Sequence, residues 1–473
     1  MLRSLRFGVM ACAVVWTLAA APGLAQDVDA RIRALEEANR KLAEQNQTIL
    51  DRLSRAEMKN AELETRLSAT GPDADANKLE DLIANMGDAA RGDIATWPAL
   101  TRSANPIRFF GRVRLDAYYN TARMNRAVNP MWVIPENDIN AEDDDDAFAF
   151  DARLTSIGMD VDAGRIGSAD VGGRIEFDFA NFSNETSEAR AYPRLLVGYV
   201  DIDFGNLSLR FGQDWDVIAP YDPLVDEQSH LWNTGNLGDR RPMAEVLWNG
   251  GDDAGFGWEV NGAAGLTGAI NNEDLDAFSG QFLTTERDGF DAGHPHGQLE
   301  VAVLFPGWVP GKRIRLGAFG LWGTFETDAE FGNEDRFTIW AAGMDLFVPL
   351  LSTLSLKGEF FIGQALSDFR GGIAQTIELV SGDEVESKGG WAELFWEPND
   401  FFGIGVGAAI DNPNREDLVD GDRASNWTIY LATRFDWGGG LTTGFDVLFW
   451  KTNYINRDEG DTLRFDMFVE LRF

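Results

Sequence analysis

Cysteine, histidine and long apolar runs are scarce in this chain of 473 residues. The single cysteine, Cys12, lies inside the apolar run from Phe7 to Ala21, and only three histidines are present. Beyond that run no thiol is available for a disulfide or a thiolate metal site. Past Ala25 no apolar run is long enough to cross a membrane as a helix. Any membrane span must therefore be built from strands.

Basic residues and enzyme motifs are also in short supply. Lys and Arg number 41 against 77 Asp and Glu, which gives a formal net charge of −36. Nucleic-acid binding needs clustered Lys and Arg, so we expect no nucleic-acid partner. The sequence has no Gly-rich phosphate cradle and no Gly-x-Ser-x-Gly elbow, and His294 and His296 have no further metal ligand at suitable spacing. We expect no enzymatic activity, no cofactor and no metal site.

The amino-terminal 25 residues have the pattern of a secretory signal peptide. Arg3 and Arg6 precede the apolar run, and the small-residue exit Gly23-Leu24-Ala25 follows it. This order of a basic start, an apolar stretch and a small-residue cleavage site is typical of export signals. We predict that residues 1–25 are removed during secretion.

A seven-residue repeat follows over residues 26–70. Apolar residues recur on one track of the repeat, and Asn39, Asn46 and Asn60 fall on the other. A buried Asn in such a repeat fixes the register and the number of helices. The repeat predicts a periplasmic coiled coil and hence a homo-oligomer; a solvated charged helix is the alternative. Residues 71–106 are interpreted as a periplasmic linker.

Apolar and polar residues alternate along much of the chain from Ile107 to Phe473. In the last dozen residues Leu463 and every second residue up to Phe473 are apolar, whereas the residues between them are mostly charged. Side chains of a strand alternate between two faces, so one face meets an apolar phase and the other meets water. With Gly-rich turns and acidic connections between them, such segments predict a transmembrane β-barrel over residues 107–473. The terminal Phe473 is typical of the assembly signal that the barrel-assembly machinery of bacterial outer membranes recognises.

About sixteen antiparallel strands are predicted, an even number as bacterial barrels require. One candidate strand runs from Phe148 to Val161, and another breaks its alternation near Asp201, where we expect a bulge or an early turn. The fold class is thus an all-β barrel preceded by an α-helical coiled coil.

Short and long connections alternate, which orients the barrel. The short ones are predicted to be periplasmic turns, and the long ones, near 121–147, 215–242, 267–297 and 367–384, to be external. Both termini then lie in the periplasm. The acidic run 142–146 in the first long connection is either a site for divalent-ion bridging to lipopolysaccharide or a solvated loop tip.

Two sets of charged residues are candidates for the lining of a pore. The first is a basic wall on the polar parity of the early strands, and the second is a group of acids in the connection that opposes it. A positive wall facing a negative loop would produce a strong transverse field; the alternative is that the arginines only pair with lumen carboxylates. The basic wall comprises Arg112, Arg114, Arg153, Arg174 and Arg210, and the acids are Asp214, Asp216, Asp222, Asp226 and Glu227, with Asp239 further along.

Five short motifs in the front half of the barrel region resemble the DcaP-like trimeric outer-membrane porins. The motifs are Phe109 to Asp116, Glu176 to Phe179, Pro193 to Leu195, Gly212 to Trp215 and Gly235 to Arg241. The resemblance implies a homotrimer in the outer membrane, surrounded by lipid and lipopolysaccharide, with a loop after the fifth strand that narrows the lumen. It implies passive diffusion of small hydrophilic solutes, with a preference for small organic anions such as dicarboxylates. Asp214 and Asp216 depart from what anion passage would favour.

Two other functions are compatible with the sequence. A phosphate-selective porin also carries an amino-terminal coiled coil, but it would need a dense Lys cluster at its constriction, and this chain offers Arg instead. A structural tether between the outer membrane and peptidoglycan would use the same helix and linker. Conductance in a bilayer separates a channel from a tether.

Overall fold

The alternation that begins at Ile107 forms one antiparallel sheet that closes on itself. The computed structural model describes residues 106–136, 145–181, 190–226, 229–252, 255–271, 274–275 and 287–473. The predicted signal peptide, coiled coil and linker, together with Asn39, Asn46, Asn60 and Glu227, lie outside the described residues. Among the described residues, no helix has the length and apolarity needed to cross a bilayer.

Seventeen strand segments make up the described sheet. They are β1 Ile107–Asn120, β2 Ala147–Asp151, β3 Ser156–Ile166, β4 Ala169–Asp178, β5 Arg194–Asp203, β6 Leu207–Trp215, β7 Arg240–Gly251, β8 Gly257–Gly265, β9 His296–Pro306, β10 Arg313–Phe331, β11 Glu334–Pro349, β12 Leu354–Gln364, β13 Glu386–Asn399, β14 Phe402–Pro413, β15 Arg423–Gly438, β16 Leu441–Tyr454 and β17 Gly460–Arg472. Short helices occur in the connections: α1 at Asp288–Asp291 and 3-10 turns at Leu366–Phe369, Gly372–Ala374 and Arg415–Asp417.

The first and last strands pair and close the barrel. Their register runs from Arg112 opposite Arg472 to Asn120 opposite Arg464. Beyond this ladder, Gly111 and Phe473 exchange two backbone hydrogen bonds of 3.1 Å. Closure leaves no exposed sheet edge, as a barrel in lipid requires.

The predicted strand from Phe148 to Val161 is interrupted, and this explains why sixteen barrel strands appear as seventeen segments. β2 and β3 both pair with β1, and four residues, 152–155, lie opposite the three residues between Arg112 and Asp116. The extra residue forms a bulge. Arg153 stabilises it, because its backbone amide and its guanidinium both donate to Asp151. The prediction of sixteen strands is confirmed, but that of an unbroken second strand is wrong.

The bulge predicted near Asp201 lies elsewhere on the same strand. At Asp201 the ladder is regular, with Gly172 on one side and Arg210 on the other. The register shift occurs five residues earlier, where Leu196 has no partner on β4. Regular alternation resumes after Leu196 with inward and outward positions exchanged. The exchange becomes visible in the sequence only some residues after the bulge that causes it.

The two faces of the strands divide as the alternation predicts. On β17, Met467, Val469 and Leu471 are exposed on the outer face, whereas Arg464 and Glu470 are buried on the inner face. Large apolar side chains are exposed on the outer face of many other strands, including Phe109, Trp248 and Phe360. An apolar exterior around a charged interior is typical of a transmembrane barrel.

Most connections at one end of the barrel are short and most at the other are long, but β10 and β11 are joined at the second end by residues 332–333 alone. Residues 204–206 and 439–440 are short turns at one end, whereas 121–146, 216–239, 266–295 and 365–385 are long connections at the other. Two apolar clusters, one including Phe337 and Leu366 and the other Trp450 and Leu231, join strands to these connections inside the barrel. The long connections therefore fill part of the lumen.

Candidate functional site: the lumen of the barrel

The inner face of the barrel carries charged side chains that are mostly covered. Arg114 on β1, Glu245 on β7 and Glu393 on β13 are only 5%, 3% and 1% exposed. In an open, water-filled barrel these side chains would be hydrated. Their burial shows that chain segments lie across the lumen.

One of these segments is the connection between β6 and β7, residues 216–239, called here the inner loop. Four of its backbone amides donate hydrogen bonds to side chains on strands of the opposite wall. Val217 donates to Gln298 at 2.9 Å, Tyr221 to Glu359 at 2.7 Å, Leu224 to Glu393 at 2.8 Å and Asp226 to Asp446 at 2.8 Å. The inner loop thus follows the wall from β9 to β16, and its place after the fifth barrel strand is the one that the resemblance implied.

The backbone carbonyls of the inner loop are held as well. Lys357 donates to the carbonyl of Asp222 at 2.7 Å, and Arg434 donates to the carbonyl of Leu224. Gly235 has a φ of +125°, and a Cβ added there would lie 2.4 Å from the carbonyl oxygen of Gly390. Only glycine permits this close approach between the loop and β13. Ionic hydrogen bonds to backbone groups are strong, so these contacts add to the ion pairs of the loop's own side chains in fixing it.

The connection between β12 and β13, residues 365–385, also folds inward and is called here the second loop. Leu366, Phe369 and Ile373 are fully buried, so this connection, which was predicted to be external, folds back into the barrel. Asp368 accepts from Arg241 at 2.6 Å and from the backbone amide of Gly268 at 2.9 Å. These contacts tie the second loop to β7 and to the connection after β8.

Asp239 links the inner loop to the second loop. It forms ion pairs with Arg370 at 2.5 Å and Arg240 at 3.3 Å. Burial alone would raise the pKa of Asp239, but the two guanidinium charges outweigh it and hold the pKa below its usual range. In contrast, burial raises the pKa of Tyr221 to about 12. Both groups therefore keep a single charge state through neutral pH.

The predicted loop acids that the structure describes lie in the lumen, and several touch cations directly. Asp214 pairs with Arg210 at 2.5 Å, Asp216 pairs with Arg241 at 2.7 Å, and Asp226 pairs with Arg114. Asp222 accepts from Asn236 at 3.3 Å. In the first acidic connection, Asp145 pairs with the exposed Arg123 at 2.8 Å.

Each predicted arginine of the basic wall contacts a carboxylate. Arg114 bonds Asp116 and Glu470 besides Asp226, and Arg112 reaches Glu470 only at 3.4 Å. The other three pairs are Arg153 with Asp151 at 2.9 Å, Arg174 with Asp160 at 2.8 Å and Arg210 with Asp201 at 3.1 Å. This pairing is what the alternative interpretation expected, and the role of these arginines in selectivity stays a prediction.

A basic cavity of about 340 Å³ remains open between β1, β3, β4, β5 and the start of β7. Four guanidinium groups line it, from Arg112, Arg194, Arg240 and Arg472, against the two carboxylates of Glu176 and Asp178. Glu470, behind this wall, is shared by Arg112, Arg114 and Arg472. Within the lining itself, cationic side chains therefore outnumber anionic ones by two.

A second, acidic cavity of about 440 Å³ lies between the inner loop and strands β5 to β8. Five carboxylates line it, and among the described residues Arg210 is the one basic residue in its lining. The carboxylates belong to Asp214, Asp216, Asp222, Asp239 and Glu245. No group of three or more His, Cys, Asp or Glu side chains in the described part of the chain is arranged to hold a metal ion.

The residues that hold the inner loop were not among the predicted site residues. Glu359, Glu393 and Asp446 are inward-facing acids on late strands, and their parity in the alternation was the available signal. Their partners are backbone amides, which nearly every residue has, so the sequence does not indicate which amide each acid binds. Arg315 was also missed; it is surrounded by Glu259, Glu300 and Asp345.

Comparison with solved structures identifies the architecture. The outer membrane channel DcaP of Acinetobacter baumannii matches with a TM-score of 0.60 and 14% identity, over 78% of this chain and 97% of that chain. The chain has the fold of a porin. An anion-selective porin from Comamonas acidovorans matches with a TM-score of 0.50 and 9% identity, over 78% of this chain and 99% of that chain.

At these identities the porin fold is shared, whereas the sequences have diverged widely. No protein family model and no curated protein sequence matches the chain. The expectation of a porin barrel that the resemblance gave is thus confirmed by the fold, with the inner loop in the corresponding place.

Proposed function

We propose that this protein is a passive diffusion channel of the bacterial outer membrane for small hydrophilic solutes. The observation that carries the proposal is the inner loop, which is held by its backbone across a closed barrel and leaves two charged cavities beside it. A structural barrel needs no such loop, whereas a channel uses one to narrow and polarise its lumen. The proposal involves no enzymatic step and no cofactor.

The basic cavity supports a preference for solutes that carry a carboxylate. Arg112 and Arg194 each have side chains that are 28% exposed, so they are accessible from the lumen. A guanidinium group can bind a carboxylate through paired hydrogen bonds. Small organic anions such as dicarboxylates, which the family resemblance implied, are one class of such solutes.

The assembly that we propose is a homotrimer with its amino-terminal coiled coil in the periplasm. Its barrels would be inserted by the barrel-assembly machinery and surrounded by lipid and lipopolysaccharide. Asn39, Asn46 and Asn60 at heptad core positions motivate a defined oligomer, because buried Asn side chains fix the number of helices. Mass measurement of the detergent-solubilised protein is expected to give three chains, and a monomer would contradict the trimer.

Conductance in planar bilayers tests the proposed channel. Purified protein is expected to add current in equal steps, and a salt gradient across the bilayer is expected to give a reversal potential shifted towards anions. Heat-unfolded protein is the control. Protein that inserts without conducting would rule out the channel and favour the alternative of a tether to peptidoglycan.

A phosphate-selective porin is the second candidate within transport. The described lining of both cavities contains arginines and no lysine, which makes this candidate weaker. Equal currents with phosphate and with a dicarboxylate of the same charge would argue against phosphate selectivity.

A further inference from the structure

The basic and acidic cavities meet at Trp215, whose side chain lines both of them. Arg240, on the basic side, stacks over the indole of Trp215 at 4.6 Å. On β7, Arg240 faces the basic cavity, and Glu245, five residues later, faces the acidic one. A solute that moves from one cavity to the other would therefore pass from a positive region to a negative one.

Glu245 is the unusual group of the acidic cavity. It is 3% exposed, and its Oε1 atom has no hydrogen-bond partner among the described residues. A buried carboxylate oxygen without a partner is costly, so its retention next to a cavity indicates a donor that arrives with a ligand.

The neighbouring acids are compensated to different degrees. Asp214, Asp216 and Asp239 form ion pairs with arginines. Glu245 and Asp222 form no direct ion pair within the described part of the chain. Arg210 lies opposite Glu245 on β6, but it is paired with Asp201 and Asp214. The cavity thus suits a cationic group.

The donor set favours an ammonium group over a metal ion. Glu245 is accompanied in the lining by the phenol of Tyr199 and the amide of Asn261, and no three metal-binding side chains cluster in the described residues. An ammonium group has three donors and can satisfy a carboxylate together with neutral acceptors. It needs no fixed coordination geometry.

We propose that the lumen binds short zwitterionic peptides, with the carboxylate in the basic cavity and the amino-terminal ammonium group at Glu245. This inference rests on the proposed channel function and names the class of solute. Arg240 and Glu245 are five residues apart, about 17 Å along an extended strand. An extended peptide reaches at most about 3.5 Å per residue, so peptides of roughly three to five residues match this span.

The experiment measures how tightly peptides block the ion current of the full-length protein in a planar bilayer. Trialanine is compared with N-acetyl-trialanine, which lacks the ammonium group, and with trialanine amide, which lacks the carboxylate. Trialanine is expected to block at about tenfold lower concentration than either derivative, because each derivative loses one charged hydrogen-bonded contact. A dicarboxylate of similar length is expected to block as weakly as N-acetyl-trialanine.

Variants locate the two ends of the peptide. Glu245→Gln is expected to weaken the block by trialanine about tenfold and to leave the block by N-acetyl-trialanine unchanged. Arg112→Gln is expected to weaken the block by trialanine and the block by N-acetyl-trialanine, and to leave the block by trialanine amide unchanged. Glu259→Gln is the matched control, because it removes a lumen carboxylate on the adjacent strand outside both cavities and is expected to change neither block.

The outcomes separate this inference from the proposed function. Absence of current in the unmodified protein would refute the channel itself. A conducting protein that is blocked equally by trialanine and both derivatives would refute the peptide site and leave the channel intact. This comparison uses the unmodified protein, so it decides the question even if Glu245→Gln fails to fold. An equal loss of block by all peptides in Glu245→Gln would also overturn the assignment.

Discussion

Arg112 and Arg114 lie two residues apart on β1, and both face the lumen, yet their surroundings differ. The side chain of Arg112 is 28% exposed and has one long ion pair with Glu470. The side chain of Arg114 is 5% exposed and contacts Asp116, Asp226 and Glu470. Strand parity predicts that both face inward, but it does not distinguish a cation that meets the solute from one that holds a loop.

We predict opposite phenotypes for the two arginines. Arg114→Gln leaves buried carboxylates without their cation, a change that typically costs about 3–5 kcal/mol, and it releases Asp226 of the inner loop. Its single-channel current should become noisy and larger. Arg112→Gln costs about 1 kcal/mol or less and should reduce anion preference with a steady current. Recording both variants in the same bilayer system makes each the control of the other, and identical traces would contradict the assignment.

At the scale of elements, carboxylates on the barrel wall hold the inner loop by accepting hydrogen bonds from its backbone amides. Glu393 accepts from the amide of Leu224 at 2.8 Å and from the hydroxyl of Tyr430 at 3.0 Å, and it pairs with Lys357 at 3.2 Å. One wall residue therefore fixes the loop, an aromatic side chain and a lysine.

We predict that Glu393→Ala loosens the inner loop. The amide of Leu224 and the hydroxyl of Tyr430 would lose their acceptor, at about 1–3 kcal/mol for each buried group left unsatisfied. Larger current fluctuations and faster proteolysis within residues 216–239 should follow. Glu393→Gln keeps an acceptor oxygen and serves as the matched control; if it behaves like the alanine variant, charge rather than hydrogen bonding holds the loop.

The contact between the inner loop and the second loop should depend on pH. The pKa of Asp239 is held below its ordinary value of 3.8 by Arg370 and Arg240, against the effect of burial. A carboxyl group whose pKa is depressed in the folded state contributes stability above its unfolded pKa, and it loses that contribution as the pH falls through the folded value. The contact is therefore complete at neutral pH and fails only in acid below about pH 3.8.

We predict that the contribution of this contact to the single-channel conductance stays constant from pH 7 to about pH 4 and is lost below it. Asp239→Asn removes the charge at every pH, so it should show the low-pH current already at pH 7 and no further transition of this kind. Glu378→Gln, a charge change within the second loop, is the control. An unaltered transition in Asp239→Asn would assign the pH dependence to another group.

The sequence predicts the strands of this barrel well and its interior poorly, for physical reasons. Strand periodicity is local, so all sixteen strands were found, with every short turn at the end predicted to be periplasmic except the one at residues 167–168. The break at Arg153 and the bulge at Leu196 depend on side-chain contacts across strands and were missed or displaced. The inward fold of the second loop and the anchors of the inner loop depend on contacts between residues more than 80 positions apart, such as Val217 with Gln298. The alternation of apolar and polar residues does not indicate which distant residues are in contact.

At the scale of the whole molecule, the barrel closes only when β17 pairs with β1. Its ladder ends at Gly111 and Phe473, which exchange backbone hydrogen bonds in both directions. The ring of Phe473 lies 2.8 Å from where a Cβ on Gly111 would be, so glycine allows the ring to pack there. The terminal residue thus takes part in closure, besides its predicted role as an assembly signal.

We predict that deleting Phe473 lowers the amount of assembled barrel more than deleting an apolar loop residue does. The deletion removes two backbone hydrogen bonds at the seam and exposes Gly111, whereas Val380, 84% exposed in the second loop, contributes little to the fold. Heat-modifiable migration of the outer-membrane fraction on gels measures folded barrel. Phe473→Tyr keeps an aromatic carboxyl terminus and should assemble normally. If Phe473→Ala assembles as well as Phe473→Tyr while the deletion of Phe473 fails, the backbone hydrogen bonds at the seam matter and the aromatic ring does not. If the deletions of Phe473 and of Val380 give equal levels of folded barrel, Phe473 has neither role.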